Sequence, residues 1–130
     1  MQTPKTIYQP DALSVQTIYQ SGILAVKDFI DAVNLYVTEQ EPWAVAKEES
    51  QTERLATILN TICESLRAIA VLYLPIMPKS MNRLWAEIGA AESGLTQEFT
   101  QASKWGQLKP GVTITKGETM FPRIEEPESI

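Results

Sequence analysis

An all-α fold is predicted by three observations. Apolar residues recur at steps of three and four from residue 55 to residue 73, a second repeat of the same kind occupies residues 26–37, and the prolines fall where helices start or stop. At 130 residues the chain is long enough for one core and too short for two ordinary ones. With 44% hydrophobic and 21% charged residues, a disordered or fibrous chain is excluded.

Residues 1–10, with Pro4 and Pro10 and no periodicity, read as a linker or a truncated start. A helix is expected from Asp11 to about Glu39, its inward register being Val26, Phe29, Ile30, Val33, Tyr36 and Val37. Ser21-Gly22 should split or kink it, because glycine costs about 1 kcal/mol relative to alanine inside a helix. Glu41-Pro42-Trp43 then breaks the pattern. The residue before a proline avoids the helical region and proline suits the first helical position, so a short helix is expected to start at Pro42.

The strongest element places Leu55, Ile58, Leu59, Ile62, Leu66, Ile69, Ala70 and Tyr73 on one stripe, with Ser50 or Thr52 as its cap and Glu53 in its first turn. Ala68, Val71 and Leu72 widen the stripe, so its C-terminal end should be buried on most sides. Pro75 stops it. After the Pro75-Ile-Met-Pro78 elbow, Ser80 is expected to cap a helix from Met81 to Ile88, with Leu84, Trp85 and Ile88 inward and Gly89 ending it. Residues 105–125 read as short extended pieces joined by turns, and residues 127–130 as a tail.

Chemistry is bounded sharply. The chain has no histidine and one cysteine, Cys63, so zinc sites, Ser-His-Asp triads and Cys-His pairs cannot be assembled within it. Cys63 borders the apolar stripe and reads as a packed, inert thiol. No catalytic residue and no metal ligand is assigned, and no cofactor is expected in this chain. A net charge of −5 argues against a broad phosphate-gripping surface and against a DNA partner; any RNA contact must be local, through stacked or edge-read bases. No uninterrupted apolar run reaches the length of a membrane span and the first ten residues lack a signal-peptide pattern, from which a cytoplasmic protein with no membrane partner is expected.

Two residues stand out as contacts. Trp43 follows a proline break at a helix start, where a ring can be held rigidly to stack on a base or can seal a corner of the core. Asn34, at the edge of the apolar face, can read a base edge with its amide or bond a neighbouring loop. Trp85 and Trp105 read as core, and Arg54, Arg67 and Arg83 as surface arginines able to touch phosphate.

Four segments resemble one family in order: Asn-Leu-Tyr-Val-Thr-Glu-Gln-Glu-Pro-Trp-Ala-Val-Ala-Lys at 34–47, Arg-Ala-Ile-Ala-Val-Leu-Tyr-Leu-Pro-Ile-Met-Pro at 67–78, Leu-Trp-Ala-Glu-Ile-Gly at 84–89, and Met-Phe-Pro-Arg-Ile-Glu at 120–125. Across residues 11–126 the chain resembles the anticodon-binding domain of methionyl-tRNA synthetases. The resemblance implies a helical bundle of the class I aminoacyl-tRNA synthetase anticodon-binding type, with a short extended C-terminal segment. It implies recognition of the CAU anticodon of methionine tRNA, with Pro42 and Trp43 in the family's Pro-Trp position, Trp43 stacking on an anticodon base and Asn34 beside it. The implied partners are the methionine tRNA anticodon loop and the catalytic domain of the same synthetase. That domain, which would bind ATP and methionine, has no counterpart here, so the chain alone is not expected to be an enzyme but part of a ligase. The family's upstream asparagine and arginine also lack a counterpart in residues 1–10, which makes the chain a partial domain on this reading. Lys79 and Ser80 resemble the synthetases' lysine-serine loop only superficially, because they begin a helix. Arg123 is expected to tie the tail to the body. The alternative is a helical protein-interaction or scaffolding domain with a core Trp43 and no RNA binding.

Overall fold

A computed structural model describes residues 12–125 and 127. The expected linker over 1–10 and all of the tail over 127–130 except residue 127 lie outside the described residues. Helix α1 spans Ala12–Gln40, α2 Pro42–Val45, α3 Thr52–Leu72 and α4 Pro78–Glu87, with 3₁₀ turns at Glu49–Gln51 and Phe99–Gln101. Among the described residues there is no strand. The fold is all-α.

Helix α3 is the hub: α1, α2 and α4 each pack on it. Its C-terminal half joins Ile69, Ala70 and Val71 to Met81, Trp85 and Ile88 of the α4 region and to Ala90. Each large apolar side chain buried there contributes about 1.5–3 kcal/mol. From α1, Phe29 and Ile30 pack against this core. The whole expected α1 register, Val26 through Val37, is half-buried, while Leu24, Leu35 and the other positions between are exposed or peripheral.

Several boundaries depart from the sequence expectation. Helix α1 runs unbroken through Gly22, where a Cβ would meet nothing within 4 Å. One glycine's cost is small against the hydrogen bonds of 29 residues. Ser80 does not cap α4, which begins two residues earlier at Pro78. Proline lacks an N–H that would need a cap and presets the helical φ, so the ring itself starts the helix, as Pro42 does for α2. Nor do Ser50 or Thr52 cap α3: Gln51 takes that place without a side-chain bond, and the Thr52 hydroxyl donates to the carbonyl of Glu49 at 2.9 Å. Leu59 is exposed rather than inward.

Gly89 ends α4 as expected, at φ 74°, with a Cβ position 2.9 Å from the carbonyl oxygen of Thr113. That close approach lets Thr115 donate its N–H to the carbonyl of Glu87 at 2.9 Å. Arg83 holds the same strap, pairing with Glu87 at 2.9 Å and donating to the carbonyl of Glu118. Arg83 thus does the tying work expected of Arg123, which is exposed.

The stretch Glu49–Leu72 is long and apolar enough to cross a membrane by length and composition alone. In this fold it is the core helix, and it carries an ion pair in its middle. Arg67, read from sequence as a surface arginine, is 1% exposed, and its Nε lies 3.2 Å from the carboxylate of Glu64, which is 0% exposed. Cys63 beside them is half-buried, and burial followed by the Glu64 charge pushes its thiol above the ordinary value.

Candidate nucleic-acid interface

The corner between α1 and α3 is built by three consecutive residues. Gln40 closes α1; Glu41 then takes a left-handed conformation, φ 45° and ψ 61°, before Pro42 opens α2. A non-glycine residue held there costs about 1–3 kcal/mol. It stays because both of its peptide groups are engaged. The Glu41 N–H donates to the carbonyl of Val37 at 3.1 Å, and its own carbonyl accepts from Ala44 at 2.8 Å and Val45 at 3.1 Å. Val45, 7% exposed, pins the short helix to α3.

With Val45 turned inward, Trp43 is turned out: the ring is 56% exposed. It does not seal the corner as core. Pro42, half-buried, fixes the backbone directly before it. Asn34 is exposed on α1 with its carbonyl accepting from the Thr38 hydroxyl at 3.0 Å. It stands six residues before the end of α1, roughly 9 Å along the axis. Pro42 and Trp43 therefore share one turn, and Asn34 lies upstream on the same helix end.

An open polar cavity of about 200 Å³ lies between the last turn of α1 and the start of α3, lined by Glu39, Glu41, Glu48, Gln51 and Arg54 among others but not by Trp43. Arg54 donates to the side-chain amide oxygen of Gln51 at 3.1 Å, and the Gln51 amide nitrogen donates to the Glu48 carboxylate at 2.5 Å. Three carboxylates against one guanidinium make this surface unfavourable for a run of phosphates and open to a flat uncharged ring. Among the described residues no three His, Cys, Asp or Glu side chains are grouped to hold a metal ion.

Sequence reasoning missed two features. Glu41 was expected only to avoid the helical region, as residues before proline do, and it does; the left-handed conformation it takes instead was not legible. Trp105 was expected in the core and is 56% exposed. Its backbone is clamped, since the preceding carbonyl of Lys104 accepts from Arg67 at 2.5 Å and the following N–H of Gly106 donates to Glu64 at 3.0 Å. Its ring lines an apolar cavity of about 520 Å³ with Phe29, Leu72 and Phe99. A second apolar cavity, about 330 Å³, adjoins it along Ile18, Tyr19 and Ile23 of α1.

A family model described as the anticodon binding domain of methionyl tRNA ligase matches residues 20–129. Methionine–tRNA ligase of Streptomyces coelicolor is 53% identical over 113 residues, covering 83% of this chain and 21% of that protein. That of Caldanaerobacter subterraneus is 35% identical over 107 residues, covering 82% of this chain and 16% of that protein. The Halalkalibacterium halodurans enzyme is 30% identical over 112 residues, covering 86% and 17%. The chain thus spans between 16% and 21% of the length of these relatives. No solved structure matches it. Three helices packed on α3, an outward Pro-Trp corner, and a family match over residues 20–129 agree: the chain belongs to the anticodon-binding domain family of methionyl-tRNA ligase.

Proposed function

We propose that this chain recognises the CAU anticodon of methionine tRNA by stacking a base on Trp43. The observation that carries this reading is the exposure of Trp43 on a corner whose backbone is bonded on both sides. Pro42 stiffens the platform, so that little rotational freedom is lost when a base covers the ring. Asn34 supplies an amide that can donate and accept along a base edge. The acidic surroundings turn the phosphates outward and leave affinity to stacking and edge contacts.

In this reading the module works with the catalytic domain of the same synthetase, which binds ATP and methionine; this chain supplies recognition and not chemistry. The exposed apolar band of Ile18, Tyr19, Ile23, Phe99 and Trp105 suits packing against another protein surface, and the catalytic domain is the partner assigned to it. The setting is cytoplasmic, with RNA as the nucleic acid and neither DNA nor membrane as partner.

Tryptophan emission tests the proposal. Adding an anticodon stem-loop carrying CAU is expected to quench the emission of the chain, and a stem-loop of equal length with another anticodon is not. Equal quenching by both removes the assignment of sequence recognition.

A further inference from the structure

Glu41 is the one non-glycine residue with positive φ among the described residues, and it immediately precedes Pro42 and Trp43. Nothing in its side chain accounts for that choice. The carboxylate makes no capping bond to α2 and is exposed, and glutamate has no special tolerance for the left-handed region of the kind asparagine has. A residue before proline ordinarily sits in extended conformations, which would carry Pro42 away from the end of α1. The left-handed turn instead folds the chain back, so that Val45 reaches α3 and Trp43 points out. Strain retained at one residue and supported by bonds on both flanks is the pattern expected where a fold uses a conformation that its sequence does not prefer.

We propose that Glu41 is a positioning residue for base recognition: its left-handed backbone, not its carboxylate, aims the Trp43 ring. The inference rests on the stacking role assigned to Trp43. Two substitutions separate backbone from side chain. Glu41→Asn shortens and neutralises the side chain while favouring the left-handed region, and Glu41→Val is β-branched and disfavours it.

The test uses the 130-residue chain labelled with fluorotryptophan, the Trp43 resonance being assigned by its loss in Trp43→Phe. Affinity for the CAU stem-loop and the thermal midpoint are measured alongside. Glu41→Asn is expected to keep the Trp43 resonance in place, bind at least as tightly as the parent, and melt higher. Glu41→Val is expected to shift or broaden that resonance and to weaken binding about tenfold, as follows if about a tenth of the molecules keep the competent corner. If Glu41→Val does not fold, Glu41→Asn alone decides. Parent-like binding and resonance in Glu41→Val, or a loss in Glu41→Asn as large as that of Trp43→Ala, overturns the positioning role. A Trp43→Ala chain that binds like the parent overturns the stacking reading itself, and the positioning role with it.

Discussion

Glu64 and Arg67 lie one turn apart on α3 with Arg67 Nε 3.2 Å from Glu64 Oε2, and each also bonds the backbone of the C-terminal segment. Arg67 donates to the carbonyls of Gln101 at 3.2 Å and Lys104 at 2.5 Å, while Glu64 accepts from the N–H groups of Gly106 at 3.0 Å and Leu108 at 2.6 Å. The pair therefore fastens a segment with little secondary structure of its own to the core helix. A buried charge without its partner is costly, and here neither is without one.

Breaking the pair from one side should be severe. Arg67→Ala is expected to lower stability by about 3–5 kcal/mol, because it strands the Glu64 carboxylate and two carbonyls. Urea unfolding measures the loss, and limited proteolysis should show earlier cleavage near residues 101–108. By contrast, Lys27→Ala, which removes the exposed 2.7 Å pair with Asp31, should leave the urea midpoint indistinguishable from the parent's.

Two glycines should respond oppositely to alanine. Gly89→Ala meets the Thr113 carbonyl at 2.9 Å and must hold a positive φ, so a loss of about 2 kcal/mol is expected. Gly22→Ala meets nothing within 4 Å in the interior of α1 and should stabilise by about 0.5–1 kcal/mol. Thermal melts of the two variants, read at one scan rate, give the signs directly.

Binding to RNA should depend weakly on salt. With Glu39, Glu41 and Glu48 around the corner and Arg54 engaged with Gln51, few phosphates can be neutralised. The logarithm of affinity against the logarithm of salt concentration should fall with a slope shallower than about −2, since each phosphate contact with a single strand contributes roughly −0.7. A slope of several units would place the contact surface elsewhere.

The helical half of the fold was readable because its burial follows a period. Val26 to Val37 on α1 are half-buried in the register that the apolar spacing dictates. Glu64 and Arg67 were not readable that way, since they lie off the main apolar stripe of α3. The hint was that Ala68 and Val71 share their side of the helix and are also buried. What covers that side is the segment around Phe99 to Leu108, whose path is set by long-range bonds to charged side chains and leaves no periodic trace. Trp105 was misjudged for the same reason: aromatic size argued for burial, while the clamp on its neighbours holds the ring at the surface. At the candidate site, Pro42 fixed where α2 begins, but the hand of Glu41 is decided by Val45 seating on α3, which is tertiary information.

The central claim is that Trp43 is a stacking platform, and the measurement that bears on it most directly is the affinity of Trp43→Ala for the CAU anticodon stem-loop. The ring is 56% exposed, so its removal should leave the thermal midpoint close to the parent's. Stacking on one base contributes about 1–3 kcal/mol, so affinity should fall by about 5- to 150-fold, with Trp43→Phe between the two. An unchanged affinity in a folded Trp43→Ala chain would contradict the account.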